Sequence, residues 1–193
     1  NKIITKQNTI QNLVNKNSRL MTNSSDSELS NRLQLASNLV ERLISGVPYY
    51  PTLSALGPDA AEPALLRFAK GGAPTYADLS ARLAGRAGEV RDADKTNRDV
   101  SWRENLTDQI TNIIKIKPLN IEKAKGVNGA LLRAEMAITN GKLSKAIKEI
   151  NSLDPKIRGP LSAWLSEANA RQNADIAAQN ILAKATAAIG NKN

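Results

Sequence analysis

The fold is decided by residues 140–190, which read NGKLSKAIKEINSLDPKIRGPLSAWLSEANARQNADIAAQNILAKATAAIG. Helical periodicity predicts a short helix over 142–153 and a long helix from about Pro160 to Ile189. Asn140-Gly141 predicts a tight turn with a left-handed glycine, joining the short helix to a preceding helix over 126–139 in a hairpin. The predicted apolar face of the short helix consists of Leu143, Ala146, Ile147, Ile150 and Leu153.

Helical spacing also extends upstream of this hairpin. A first helix is predicted after Ser25-Asp26, ending at Gly46, and shorter helices are predicted at 52–56, 60–70 and 75–84. Residues 85–100 carry mixed charge and two glycines, which predicts a surface loop. Another helix is predicted over 101–115, and no strand pair is evident. Thr75 is predicted to cap the third short helix, and the predicted stripe of the long helix is Leu161, Trp164, Leu165, Ala168, Ile176, Leu182, Ala185 and Ile189.

The sequence therefore predicts an all-α fold: a compact helical domain with a C-terminal helical hairpin and one long terminal helix. With 193 residues, of which 41% are hydrophobic, the chain is long enough for one sizeable core. Aromatic residues are only 3%, so we expect that core to consist mainly of aliphatic helix faces.

Composition excludes several kinds of chemistry. The chain contains neither histidine nor cysteine. This removes imidazole bases, thiol nucleophiles, Cys/His zinc sites and disulfides. We therefore predict no enzyme activity, no catalytic residue, no metal site and no cofactor.

The net charge of +9 is spread unevenly along the chain. Residues 1–25 hold four basic and no acidic side chains, whereas residues 26–81 hold four basic and six acidic ones. Residues 1–25 are predicted to be a polar linker or the end of an upstream coiled coil, and residues 26–193 the helical domain. No stretch approaches the ~20 apolar residues of a membrane-spanning helix, so any anchor is expected upstream. The basic excess favours a polyanionic partner.

An amphipathic segment over 101–117 is the predicted lipid-binding site. Its bulky aliphatic stripe contains one tryptophan and has cations at both ends, which suits a helix lying in a bilayer interface. A helix that packs its stripe on a protein core has the same pattern. The predicted lipid-binding residues are Trp102, Arg103, Leu106, Ile110, Ile113, Ile114, Lys115 and Lys117.

Three weaker motifs have simpler explanations. The hairpin resembles one tetratricopeptide unit, but an array needs at least three repeats. Gly85-Arg86-Ala87-Gly88 fits the G-x-x-G loop of K-homology domains, yet no strands are predicted near it, so a surface turn is favoured. Glu89, Asp92 and Asp94 alternate with basic residues, which is typical of a solvated mixed-charge surface rather than a metal site.

The order of elements in the last third of the chain resembles the C-terminal domain of mitofilins. These elements are the Gly141-Lys142-Leu143 turn, the Trp164-Leu165-Ser166-Glu167-Ala168 segment and the Ala187-Ala188-Ile189-Gly190 end. Val47-Pro48-Tyr49-Tyr50-Pro51 is also similar to a family element that follows the first helix. The resemblance covers Ser27 to Gly190 and is strongest after Ala130.

The resemblance implies a membrane-shaping scaffold of an inner membrane. Mitofilins are anchored organisers of crista junctions in mitochondria or of intracytoplasmic membranes in alphaproteobacteria. It implies a homo-oligomer, at least a dimer, in contact with acidic phospholipid, and a domain located in the periplasm or intermembrane space. It also implies a protein-interaction site at the C-terminal hairpin and the last helix, for which the predicted residues are Leu143, Ile147, Ile150, Trp164 and Leu165.

Two alternatives remain open from the sequence. The chain could be a soluble helical adaptor, tetratricopeptide-like, that binds a protein in a groove beside the hairpin and has no lipid role. Binding of nucleic acid would explain the positive charge, but no nucleic-acid-binding motif supports it and it is not expected.

Overall fold

The computed structural model of the chain describes residues 26–98 and 124–190, and all regular structure within these two ranges is helical. The predicted all-α class is therefore confirmed. In chain order the helices are α1 (residues 26–45), α2 (Tyr50–Leu56), α3 (Pro63–Leu66), α4 (Tyr76–Arg98), α5 (Gly126–Thr139), α6 (Leu143–Asn151), α7 (Pro155–Arg158) and α8 (Ser162–Gly190), with 3-10 turns at Pro58–Ala60 and Gly159–Leu161.

The described chain forms two compact units. The first unit contains residues 26–72 and 175–190, and the second contains the described residues of Ala73–Ala174. The predicted linker or coiled-coil end at residues 1–25 lies outside the described residues.

The first unit is held together by a buried tyrosine and a close backbone approach. Gly46, at φ 72°, follows α1 and turns the chain towards Tyr49. The Tyr49 hydroxyl donates a buried hydrogen bond of 2.7 Å to the carbonyl oxygen of Leu65, and its amide donates to that of Ala69 at 2.8 Å. Gly72 lies so close to Gly46 that a Cβ atom at position 72 would overlap the Gly46 carbonyl oxygen. The segment after α1 is therefore fixed by main-chain contacts as well as by apolar packing.

The second unit surrounds one apolar core. Helix α4 packs on α5, α5 on α6, and α4 also contacts α7 and the 3-10 turn before α8. The predicted hairpin is confirmed, because α5 and α6 are joined by a turn in which Gly141 has a φ of 71°. All the predicted apolar residues of the short helix are buried: Leu143, Ala146, Ile147, Ile150 and Leu153.

The prediction of a surface loop over 85–100 is wrong as far as residue 98, because α4 continues to Arg98. An apolar stripe of Leu79, Leu83, Ala87 and Val90 runs along the helix at intervals of three or four residues and is buried. Packing of this stripe outweighs the low helix propensity of two glycines, about 1 kcal/mol each. The mixed charges lie on the solvent side, where they form i,i+3 ion pairs such as Arg86–Glu89.

Two further expectations need correction. The helix predicted over 60–70 is only a 3-10 turn, the short α3 and a turn, because Pro58 and Pro63 each begin a separate helical turn and the Ala69 carbonyl bonds to Tyr49 and Tyr50. Ile176, which we expected in the apolar stripe of the last helix, is 51% exposed. The helix itself runs from Ser162 to Gly190, close to its predicted bounds.

Candidate functional site

The predicted lipid-binding segment lies outside the described residues. This applies to each of its predicted residues: Trp102, Arg103, Leu106, Ile110, Ile113, Ile114, Lys115 and Lys117. Lipid binding by this segment stays a prediction.

The predicted protein-interaction residues lie in the core of the second unit. Leu143, Ile147, Ile150 and Trp164 are buried, and Leu165 is half-buried and packs against the same core. Side chains covered by the chain's own helices shape a surface without presenting themselves to a partner. Binding of a partner at the hairpin stays a prediction, and direct contacts would come from residues on the outside of the hairpin.

Trp164 joins the long helix to α4. Its indole Nε1 donates a buried hydrogen bond of 2.8 Å to the main-chain carbonyl oxygen of Leu79. Glu167 and Ala168, a few residues further along α8, also hold this helix in place. Ala168 is buried, and the Glu167 carboxylate accepts a hydrogen bond from Arg82 of α4. This carboxylate raises the pKa of the Arg82 guanidinium above its usual value. The segment from Trp164 to Ala168 therefore joins α8 to α4 through hydrogen bonds and apolar packing.

Arg171 is a buried cation that sequence reasoning missed. It is 1% exposed, its Nε donates to the carbonyl oxygen of Pro74 at 2.9 Å, and its guanidinium carbon lies 5.2 Å from the centre of the Tyr76 ring. This geometry is that of a cation–π contact. The spacing of the sequence could have predicted this burial. Position 171 follows Trp164 and Ala168 at helical intervals and continues the buried face of α8.

The start of α4 is capped as predicted. The Asp78 amide donates to the Thr75 hydroxyl at 3.1 Å, and the Thr75 amide donates to the Asp78 carboxylate at 2.9 Å. This reciprocal pair is a capping box. Hydrogen bonds from the Thr75 amide and hydroxyl lower the pKa of Asp78 below its ordinary value.

An open groove of about 650 Å³ lies beside the hairpin, within the second unit. One wall comes from the first half of α4 and consists largely of small side chains, and the other comes from the end of α5 and the hairpin turn. Small residues let a partner helix or side chain approach the α4 backbone closely. The lining residues are Tyr76, Ala77, Ser80, Ala81, Ala84, Glu135, Ile138, Thr139 and Gly141.

The solvent-exposed side of α6 is basic. Lys142, Lys145 and Lys148 are exposed, while the apolar face of the same helix is buried. Because the core contacts of α6 fix its rotation, the orientation of Lys145 and Lys148 away from the core is fixed as well. This lysine face is a basic surface held on a rigid element.

The first unit exposes apolar side chains. Tyr50 is 47% exposed and Leu66 46% exposed, and both line a cleft of about 290 Å³ between α2 and α3. The Lys70 ammonium lies 5.7 Å from the centre of the Tyr50 ring. A small apolar patch of this size is typical of many protein surfaces and does not by itself define a site.

No side-chain cluster typical of a metal centre occurs in residues 26–98 and 124–190. Groups of three or more His, Cys, Asp or Glu side chains that could hold a metal ion are absent from that part of the chain. Among the helices that the structure describes, none combines the length and apolar character needed to cross a bilayer.

Comparison of this chain with models of known protein families, with curated proteins and with solved structures gives no match.

Proposed function

We propose that this chain is a non-catalytic helical scaffold of the mitofilin type, which associates with copies of itself and contacts an acidic membrane. One observation carries the proposal. Two of the elements that resemble mitofilins, the Gly141-Lys142-Leu143 turn and the segment from Trp164 to Ala168, close the hairpin and join α8 to α4 within the second unit.

The individual residues support this reading. Gly141 has the left-handed conformation that closes the hairpin, Leu143 enters the core directly after it, and Trp164 fastens α8 to α4. Glu167 and Ala168 of the same element make an ion pair with α4 and a core contact. Packing roles for Leu143, Trp164 and Ala168 are expected of a scaffold, whereas an enzyme or carrier uses some of its distinctive residues at a ligand.

Lipid contact and location follow from the same proposal. The segment 101–117 would lie in the bilayer interface through its aliphatic stripe, and the domain would stand in the periplasm or intermembrane space. Organisation of crista junctions or of bacterial intracytoplasmic membranes is the corresponding cellular role.

Co-sedimentation with vesicles tests the lipid part. Phosphatidylserine-containing vesicles should bind the chain, and binding should weaken with added salt because the cations are screened. Ile110→Asp with Ile113→Asp should abolish binding and leave the helical circular dichroism unchanged. The matched control is Ala81→Asp with Ser166→Asp, which adds the same charge at exposed positions. Absence of vesicle binding by the unaltered chain, or loss of helical structure in the Ile110/Ile113 variant, would refute the lipid assignment.

Self-association is tested separately. Sedimentation equilibrium across a range of concentrations should show at least a dimer. A protomer that remains monomeric at all accessible concentrations would contradict the scaffold proposal irrespective of the vesicle result.

The groove beside the hairpin favours a second candidate, a soluble adaptor that binds a protein partner there. Its open shape and small-residue wall can receive an apolar side chain or a helix. Ala81→Trp would fill the groove from an exposed position and should block partner binding, whereas Ser166→Trp on the exposed side of α8 should not. This candidate predicts that the chain does not bind vesicles at physiological salt.

A further inference from the structure

The lysines on the outer face of α6 form no ion pair with an acidic side chain of residues 26–98 and 124–190. Glu149, on the same helix, bonds instead to Arg133 Nε at 2.9 Å, and both side chains are about one-fifth exposed. Asp154 accepts a hydrogen bond of 2.8 Å from the Lys156 amide and caps α7. The two carboxylates nearest in sequence are therefore engaged elsewhere. Lys142, Lys145 and Lys148 have no ion pair within residues 26–98 and 124–190.

The positions of Lys142 and Lys145 are unfavourable for the helix itself, whereas Lys148 lies in its last turn, where a cation is favoured. Lys142 precedes α6 and Lys145 lies in its first turn, which contains no acidic residue. The amino end of a helix carries partial positive charge, so cations there are repelled and acidic residues are favoured. Helix stability therefore does not account for Lys142 and Lys145, and an anionic partner would.

We propose that the lysine face of α6 is a contact site for the headgroups of anionic phospholipids, additional to the segment 101–117. The inference rests on the proposed membrane function. Lys142 and Lys148 are six residues apart, roughly 9 Å along the helix axis, and all three lysines are exposed, so one charged sheet can contact them together. Charge complementarity is the basis of the assignment.

The residue types on this face favour lipid over nucleic acid. Residues 139–154 contain no arginine and no aromatic residue. Nucleic-acid sites use arginine for bidentate phosphate and base contacts and aromatic rings for stacking. Lysine ammonium groups without such partners act as point charges, which is sufficient for attraction to an anionic bilayer surface.

Charge reversal of the full chain tests this site. Lys142→Glu, Lys145→Glu and Lys148→Glu together should weaken binding to phosphatidylserine-containing vesicles by roughly 10- to 100-fold and flatten its salt dependence. Arg32→Glu, Lys70→Glu and Lys184→Glu together make the same charge change at exposed positions of the first unit. This control should change binding by less than about threefold, since it leaves the three lysines of α6 unaltered.

Two further measurements separate lost contact from lost folding. Lys145→Glu places an acid in the first turn of α6 and should raise the thermal midpoint while it weakens vesicle binding. Because the chain has no cysteine, Lys145→Cys accepts a single environment-sensitive fluorophore. Its emission should shift to the blue on anionic vesicles and stay unchanged on phosphatidylcholine vesicles, whereas the same label at Lys184→Cys should not respond.

The outcomes distinguish this inference from the proposed function. If the Ile110→Asp and Ile113→Asp variant loses vesicle binding but the triple lysine variant retains it, the α6 site is refuted and the membrane function stands. If the matched control loses as much binding as the lysine variant, net charge alone explains the effect and the site is refuted. If the unaltered chain does not bind vesicles, or binds only DNA, RNA or an acidic peptide through these lysines, both proposals are overturned.

Discussion

The indole nitrogen of Trp164 donates a hydrogen bond to the main-chain carbonyl oxygen of Leu79, and both residues are buried. The bond joins positions that are 85 residues apart, on α8 and α4. A large aromatic side chain buries more apolar area than its neighbours, and its single polar atom has a partner here. Trp164 is therefore expected to contribute both packing and orientation to the second unit.

Replacement of Trp164 should separate these two contributions. Trp164→Phe keeps most of the apolar area and loses the hydrogen bond, so we expect a loss of about 1–2 kcal/mol in the free energy of unfolding. Trp164→Ala leaves a cavity as well and should cost about 3–5 kcal/mol. Urea denaturation followed by circular dichroism measures both values. Equal stability of the Phe variant and the unaltered chain would show that the hydrogen bond contributes nothing.

Arg171 provides a second test of the buried polar contacts. Arg171→Met removes the donor to the Pro74 carbonyl and the cation beside Tyr76, and we expect a loss of about 2 kcal/mol. Arg171→Lys keeps the charge but not the planar guanidinium, so it should also be destabilising. Lys184→Met, at an exposed position of the same helix, should change stability by less than about 0.5 kcal/mol. Similar effects at positions 171 and 184 in denaturation experiments would contradict the role of Arg171.

Substitution by alanine should change the free energy of unfolding differently at each of three glycines. Gly85 lies inside α4 with open space around its Cα, so Gly85→Ala should stabilise by about 0.5–1 kcal/mol. Gly141 also has open space but a φ of 71°, so Gly141→Ala should cost about 1 kcal/mol. Gly72 combines a φ of 83° with the overlap on Gly46, and Gly72→Ala should cost about 3 kcal/mol or more.

Differential scanning calorimetry on the three variants gives the ranking directly. A destabilising Gly85→Ala would indicate that α4 does not continue through this position. A tolerated Gly72→Ala would indicate that the close approach to Gly46 is absent in solution.

The capping box at the start of α4 predicts a dependence on pH. The Thr75 hydrogen bonds place the folded-state pKa of Asp78 below its ordinary value of 3.8. A lowered folded-state pKa means that the ionised carboxylate stabilises the fold above pH 3.8, and that this contribution is lost as the pH falls through the folded-state pKa.

Asp78→Asn should therefore lower the urea midpoint at neutral pH and have no effect at a pH well below the folded-state value. Thr75→Val should raise the pKa of Asp78, as measured by NMR titration of its carboxyl carbon. A difference between Asp78→Asn and the unaltered chain that persists unchanged into acid would contradict the capping interaction.

Local periodicity was enough to predict much of the fold. The hairpin, its glycine turn, the long last helix and the Thr75 cap each depend on residues close together in sequence, and each was predicted. The continuation of α4 through Gly85 and Gly88 was not, because the tertiary packing of Leu83, Ala87 and Val90 overrides local propensity. Ile176 was misplaced for a different reason, because an isolated apolar residue has no sequence signal that shows which side of a helix is covered.

The candidate site was predictable only in part. Sequence patterns indicated an amphipathic segment over 101–117 and a hairpin with one apolar face. They did not distinguish residues that would contact a partner from residues that support the fold, and Leu143, Ile147, Ile150 and Trp164 are in the core. The sequence does not show that the carboxylates of Glu149 and Asp154, close to the α6 lysines, have other partners.

By itself, the sequence determined that this chain is helical, that it has no imidazole or thiol chemistry, and where its main turns lie, because composition and short-range periodicity act within a few residues. Only the tertiary structure decided that Arg171 is buried against Pro74 and Tyr76, that Trp164 reaches Leu79, and that the α6 lysines remain unpaired among the described residues. Burial and pairing depend on groups that are distant along the chain, and long-range packing brings those groups together.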